Sequence, residues 1–288
     1  MIMGERIWLV TTEHLKDNLW FKDEEDFKTG MNYVAVSNVL SDVGILAFVL
    51  MSNHVHFVLG GYEESARSFI SRLKQIYSRY YRFKYSSKEF LRNNKVDLKE
   101  LSIGDDSFER AVAYVQMNPV AANVCASHIM YPWGTGNLLF CNAKASLQGT
   151  KVKDLSKRKL LQITHSKVVF PPNYILDERG YISPASYVQF KFVESVFRTP
   201  KRLNYFLNSS SKARQNSTLP TFSDQSVVSA IKDLCNSVYG GANLLDLPFE
   251  KRSDLLKQIR YRFSSDSKQL SRVTGLSPEN VQKALDTF

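Results

Sequence analysis

Residues 45–61, ILAFVLM-SN-HVHFVLGG, decide how this chain is read. Two short apolar runs, 45–51 and 54–59, flank Ser52-Asn53, and Gly60-Gly61 ends the second run. Runs of that length broken by two small polar residues predict a β-hairpin. On the second strand His54 and His56 are two apart, so both imidazoles leave the same face. Neutral imidazole nitrogens are common ligands for divalent metals. An apolar strand makes an unpartnered polar side chain costly, which favours a partner for each ring. The plainer alternative is a pair of strand histidines with no ligand. A metal site needs a third donor, preferably an oxygen if the ion is Mg²⁺ or Mn²⁺.

Working outward, residues 5–12 (ERIWLVTT) alternate as a strand, and 23–42 open on an acidic turn and continue at helical spacing. Residues 64–85 predict a helix with Phe69, Leu73, Ile76, Tyr80 and Phe83 as its apolar stripe. A strand over 95–103 and a helix over 106–118 follow, with Asp106 or Ser107 as cap and Pro119 ending or kinking the helix. This order predicts an α+β fold, an antiparallel sheet with helices on one face, spanning residues 1–140. Residues 141–208 read as an extension of uncertain structure, partly helical. Residues 209–219 (SSKARQNSTL follows Asn208-Ser209) read as a polar linker, and 220–288 as a separate helical domain.

The helix over 106–118 carries the second chemical feature. Tyr114 and Asn118 are four apart and share a face. The Asn118 amide oxygen can serve as the third metal ligand while Tyr114 presents its hydroxyl nearby. A phenol is a weak nucleophile at its ordinary pKa of about 10. It suits an electrophile polarised by a metal, such as a phosphodiester, where a covalent intermediate conserves the bond energy. Tyr77, Tyr80, Tyr81 and Tyr85 on the basic helix compete for the role; only Tyr114 has a helix-mate able to complete a metal site.

The chain of 288 residues holds 38 Lys+Arg against 28 Asp+Glu, a net charge of +10 that suggests a polyanionic partner. Arg67, Arg72, Lys74, Arg79 and Arg82 crowd the helix over 64–85 and are candidates for phosphate contact. Tyr77 and Tyr81 on the same helix are candidates to stack on unpaired bases. Three scattered cysteines form no disulfide framework. MIMGERIWLV lacks the pattern of a signal peptide, and no apolar stretch reaches membrane-spanning length. A cytoplasmic protein without membrane contact is expected.

Two longer motifs resemble a known family. Met51-Ser52-Asn53-His54-Val55-His56-Phe57-Val58-Leu59 resembles the histidine-hydrophobe-histidine motif of single-tyrosine (HUH) transposases. Tyr114-Val115-Gln116-Met117-Asn118-Pro119-Val120-Ala121-Ala122 resembles the tyrosine helix of their REP-associated branch, and Tyr131-Pro132-Trp133 the aromatic stretch after it. Order and spacing agree over residues 5–137. The resemblance implies a ferredoxin-like or RRM-like sheet, His54, His56 and Asn118 as ligands of Mg²⁺ or Mn²⁺, and Tyr114 as the nucleophile. It also implies attack on single-stranded DNA, often near a hairpin, with a 5′-phosphotyrosine formed and a 3′-hydroxyl released. Ser52 stands where the family usually has proline, Ala121 where arginine is usual, and Gly134-Thr135 where a serine pair is usual.

Residues 268–285, KQLSRVTGLSPENVQKAL, read as helix, tight turn, helix. Gly275 suits the turn, Ser277 caps the second helix and Pro278 fits its first turn. The segment resembles the helix-turn-helix of replication initiator proteins, with Glu279, Asn280, Gln282 and Lys283 as candidates to face a DNA groove. A packing or dimer-forming helical hairpin is the other reading. For the whole chain the expected function is a metal-dependent transposase acting on single-stranded or hairpin DNA, with a homodimer as one assembly. A hairpin-DNA-binding protein that no longer cuts, or a nickase of replication-initiator or relaxase type, are the alternatives.

Overall fold

The hairpin read from residues 45–61 forms the centre of the computed structural model, which describes residues 6–16, 18–86, 91–122, 124–141, 148–210 and 222–286. The order is β1 (Arg6–Thr12), α1 (Glu24–Val39), β2 (Gly44–Met51), β3 (His54–Gly61), α2 (Glu63–Tyr85), β4 (Val96–Leu101) and α3 (Ser107–Ala121). The four strands make one sheet in the order β2-β3-β1-β4, with every neighbouring pair antiparallel.

Helices cover both faces of this sheet, not the one face expected from the sequence. Trp8, Val10, Phe48, Leu50, Val55, Phe57 and Leu59 share a core with Phe27 and Met31 of α1 and Phe69 and Leu73 of α2. Ile7, Ala47, Val49, Met51 and Val58 share another with Phe108, Val112 and Val115 of α3. The cause is visible in the strands. From Ile45 to Met51 every residue of β2 is buried. A continuous apolar run, without polar alternation, needs a cover on each side.

Residues 148–210 belong to the same cores. They contain β5 (Thr150–Lys151), α4 (Lys157–Thr164), β6 (Ile175–Leu176), α5 (Phe190–Phe197) and α6 (Pro200–Ser210). Tyr174, Tyr181 and Ile182 join the cluster beneath α1 and α2. Val193, Phe197, Leu203 and Phe206 join the one beneath α3. The segment around 133–135 runs along the outer edge of β2: Leu50 N–H donates to Trp133 O at 2.8 Å and Thr135 N–H to Phe48 O at 3.0 Å. Here glycine is required at 134, because a Cβ would lie 2.7 Å from the Phe48 carbonyl oxygen. Thr135 adds a side-chain bond, its Oγ1 accepting from Phe48 N–H at 3.0 Å.

Two local readings of α3, an end at Pro119 and a cap from Asp106, change. The helix continues past Pro119 to Ala121, with Ala122 N–H reaching Asn118 O at 2.9 Å. A proline removes one N–H donor, yet the bonds on either side of it hold the last turn. Asp106 occupies the cap position but in left-handed conformation and without a capping bond. Its carboxylate instead accepts from Arg202 of α6 at 2.8 Å.

The C-terminal helices α7 (Asp224–Val238), α8 (Phe249–Phe263), α9 (Ser267–Thr274) and α10 (Pro278–Asp286) enclose their own core of Val227, Leu255, Leu256, Ile259, Leu270 and Val281. Gly275 ends α9 at φ 73°, a conformation glycine adopts freely. Ser277 Oγ accepts from Asn280 N–H at 3.3 Å at the start of α10. Of the linker expected at 209–219, residues 209 and 210 end α6 and the rest lies outside the described residues. Among the described residues no helix is long and apolar enough to cross a membrane.

Candidate metal centre

β3 presents His54 and His56 toward α3, both buried, at 4% and 0% exposure. Their ring centroids are 4.7 Å apart with the planes at 82°. Each Nδ1 is anchored from behind. His54 Nδ1 meets Asn53 Oδ1 at 2.8 Å, and His56 Nδ1 meets Thr11 Oγ1 of β1 at 3.1 Å. Asn53 Oδ1 can only accept, so His54 Nδ1 carries the hydrogen and Nε2 keeps its lone pair.

Both Nε2 atoms turn toward one amide. His54 Nε2 lies 3.2 Å from Asn118 Oδ1, and His56 Nε2 lies 3.1 Å from Asn118 Nδ2. The first contact sets two lone-pair atoms against each other. Two ligands bound at about 2.1 Å and roughly right angles to a cation stand ~3.0 Å apart, so this spacing fits a shared ion. Burial, with smaller contributions from His56 and His14, pushes His54 well below the ordinary imidazole pKa. Burial and His14 push His56 down to about 4. Both rings are therefore neutral at neutral pH, the form that binds metal.

Tyr114 stands one helical turn before Asn118, as the spacing predicts. Its ring packs edge-on against His56 with centroids 5.1 Å apart, and it is 44% exposed. Burial raises the Tyr114 pKa, partly offset by a hydrogen bond with Asn118. The phenol thus shares its amide partner with both imidazoles, within one chain.

His14 belongs to the same cluster and was not singled out from sequence. It follows β1 and stacks on His54, with centroids 3.6 Å apart and planes at 11°. One ligand atom from each of His14, His54 and His56 lies within 4.8 Å of the others. In parallel stacked rings the in-plane lone pairs run side by side and do not converge. The converging donors are therefore His54, His56 and Asn118, with His14 as a cover over the site. A lone histidine in a loop carries no periodicity, so the sequence offers no sign of it beyond its residue type. Asn53 was also passed over; a turn residue can be an anchor, and Asn53 Nδ2 additionally donates to Leu15 O at 3.0 Å.

The basic helix α2 divides. Arg67, Arg79 and Arg82 are exposed and, with Lys74 and Arg92, line a groove of about 600 Å³ between α2 and β4. Lys74 is half-buried and donates to the Asn94 carbonyl. Arg72 is partly buried, with its Nε shielded from solvent. Tyr77 and Tyr81, expected to stack on bases, are core residues at 0% and 1% exposure. Tyr77 hydroxyl donates to Trp20 O at 2.5 Å and Tyr81 hydroxyl to Asn18 Oδ1 at 2.8 Å. The buried stripe of α2 runs through Ala66, Phe69, Ile70, Leu73, Tyr77 and Tyr81 and leaves Phe83 of the expected stripe exposed, so neither tyrosine ring reaches a strand outside. Glu279, Asn280, Gln282 and Lys283 lie on the exposed side of α10. Gln282 is held by Asp286 at 2.8 Å and Lys283 lies over the Phe249 ring at 5.7 Å.

The C-terminal helices dock beside the histidines. Asp224, at the start of α7 and 6% exposed, accepts from Ser52 Oγ at 2.6 Å, from Gln269 Nε2 at 3.0 Å and from Arg272 Nη2 at 3.2 Å. Ser52 thus has a partner that proline at that position would lack. Gln225 Nε2 donates to Phe21 O at 3.0 Å.

No protein-family model and no curated protein matches the sequence. Among solved structures, one described as a REP-associated tyrosine transposase bound to a REP hairpin is similar over 46% of this chain and 77% of its own, with a TM-score of 0.34 and 13% identity.

Proposed function

We propose that the chain is a metal-dependent, single-tyrosine transposase that cuts and rejoins single-stranded DNA, the strand emerging from a hairpin included. The observation that carries this reading is the convergence of His54 Nε2, His56 Nε2 and the Asn118 amide beside the Tyr114 phenol. The βαββαβ order with strand order 2-3-1-4 supports a ferredoxin-like or RRM-like sheet as the platform. His54, His56 and Asn118 would hold Mg²⁺ or Mn²⁺, whose contribution when bound is Lewis-acid polarisation of a phosphodiester.

The protein's own groups do the rest. Asn53 and Thr11 fix the two rings so that Nε2 faces the site. Asn118 orients the Tyr114 hydroxyl. The Tyr114 oxygen attacks phosphorus and the P–O3′ bond breaks. The proton lost by the phenol is balanced by the one gained by the released 3′-hydroxyl. The strand's 5′ end is then held as a phosphotyrosine, and attack by another 3′-hydroxyl reverses the step without an external energy source. All four groups come from one chain, which supports chemistry within a single subunit. Arg67, Arg79 and Arg82 in the groove beside α2 are suited to phosphate contact, and the exposed face of α10 to a duplex or hairpin groove.

The test is incubation of the purified chain with single-stranded hairpin DNA and Mn²⁺, followed by denaturing electrophoresis. The expected result is a covalent protein–DNA adduct that is lost in Tyr114→Phe and in His54→Ala. An undiminished adduct in Tyr114→Phe overturns the assignment.

A further inference from the structure

The docking of α7 and α9 next to the histidines leaves a cleft of about 340 Å³. One wall is His14, Asn53 and His54; the other is Asp224, Gln269 and Arg272. The floor is kept open by the small side chains of Ala121 and Ala122 at the end of α3. This cleft therefore meets the histidine site at His54 and is closed by a different part of the chain, more than 150 residues away in sequence (54 against 224 and 272).

Among the described residues Arg272 is the only arginine or lysine on its lining, beside the carboxylates Asp224 and Asp266. Asp224 accepts from its Nε at 3.3 Å and from Nη2 at 3.2 Å, which takes up one edge of the guanidinium and leaves the remaining N–H groups of the fork for another acceptor. The side chain keeps 26% of its exposure while Asp224 keeps 5%. A buried carboxylate of this kind holds an arginine in one orientation, and a planar fork so held matches the oxygens of a phosphate. Arg272 thus shares one cleft with His14 and His54 although it stands on α9.

We infer that the docked C-terminal helices form the second wall of the strand-binding cleft, where Arg272 contacts a backbone phosphate of single-stranded DNA next to the scissile one. Asp224 is a positioning residue that acts through Arg272, and Ser52 ties Asp224 to the turn of the histidine hairpin. This inference rests on the single-stranded DNA reading above and adds a substrate subsite to it.

The test measures binding of a fluorescein-labelled single-stranded 20-mer to the full chain by anisotropy across a salt series, in EDTA. Each phosphate contact contributes about 0.7 to the slope of log K against log salt for single strands. Arg272→Gln is expected to weaken binding about tenfold at low salt and to lower the slope by about 0.7, and Arg272→Lys to keep the slope. Lys201→Gln removes an exposed cation of α6 that does not line the cleft, and its slope is expected to match wild type. Melting temperature, followed by circular dichroism, controls for unfolding. A purely structural Arg272 would lower the melting temperature and leave the slope unchanged, which overturns the inference. In that case a Tyr114-dependent adduct in the parallel gel leaves the transposase reading standing. Loss of both slope change and adduct overturns both.

Discussion

Removing the Asn53 side chain tests whether the histidine pair is built to hold a cation. Asn53→Ala deletes two bonds: the 2.8 Å contact that pins His54 Nδ1 and the 3.0 Å contact to the Leu15 carbonyl. The first fixes the His54 tautomer with its lone pair on Nε2. The second holds the loop that carries His14 over the site. Groups that orient a metal-bound histidine are typically worth 10–100-fold in affinity, or about 1.4–2.7 kcal/mol. Two lost hydrogen bonds at about 1 kcal/mol each put a similar cost, ~2 kcal/mol, on folding. The assay is isothermal titration of Mn²⁺ into the metal-free chain, with urea unfolding in EDTA alongside. Asn53→Ala is expected to bind at least tenfold more weakly while remaining folded. Asn53→Asp keeps an acceptor on His54 and is expected to bind within about threefold of wild type. An Asn53→Ala protein that binds Mn²⁺ within twofold of wild type refutes the role assigned to the Asn53–His54 pair.

Further expectations concern stability and binding. Burial holds His56 near pKa 4 against an ordinary 6.5, so the folded chain stays neutral there while the unfolded chain takes up a proton. Metal-free stability should thus fall as pH drops from about 6.5 to about 4, by up to ~3 kcal/mol from His56, and His54 acts in the same direction. Urea denaturation at pH 7 and pH 4.5 checks this; the reasoning fails if His56→Asn shows the same decline as wild type. Tyr77→Phe leaves the Trp20 carbonyl without its donor and should cost about 1–3 kcal/mol by the same assay, with DNA binding at 20 °C unchanged. If Tyr77→Phe instead weakens binding without loss of stability, the ring does reach the strand. Arg79→Ala and Arg82→Ala should each reduce the salt slope for single-stranded DNA by about 0.7 and leave the melting temperature within a degree or two; unchanged slopes would remove the α2 groove from the binding surface.

What could be read from the sequence follows from range. The i, i+2 geometry of His54 and His56 and the i, i+4 geometry of Tyr114 and Asn118 are local, so each pair was legible on its own strand or helix. The capping and turn chemistry of Gly275 and Ser277 was legible for the same reason. Tyr77 and Tyr81 differ from expectation because aromatic residues stand on both sides of α2, and spacing alone does not show that the buried stripe runs through them and leaves Phe83 in solvent. The second face of the sheet was missed although β2 announced it: ILAFVLM has no polar alternate to leave in water. His14, Asp224 and Arg272 could not have been found, since they meet the histidines only through tertiary docking.

The two borders of the sheet have unequal fates in a crowded solution. The outer border of β2 is taken by the chain around 133–135 and by Gln189, whose N–H reaches Ile45 O at 2.8 Å. Among the described residues, β4 has β1 as its ladder partner and no strand on its far side. A second molecule that tries to prolong the sheet must therefore approach through VDLKEL, where Asp97, Lys99 and Glu100 would be forced against a stranger's side chains. Self-association by strand addition is guarded by those three charges, and neutralising them would turn a tolerant border into an adhesive one.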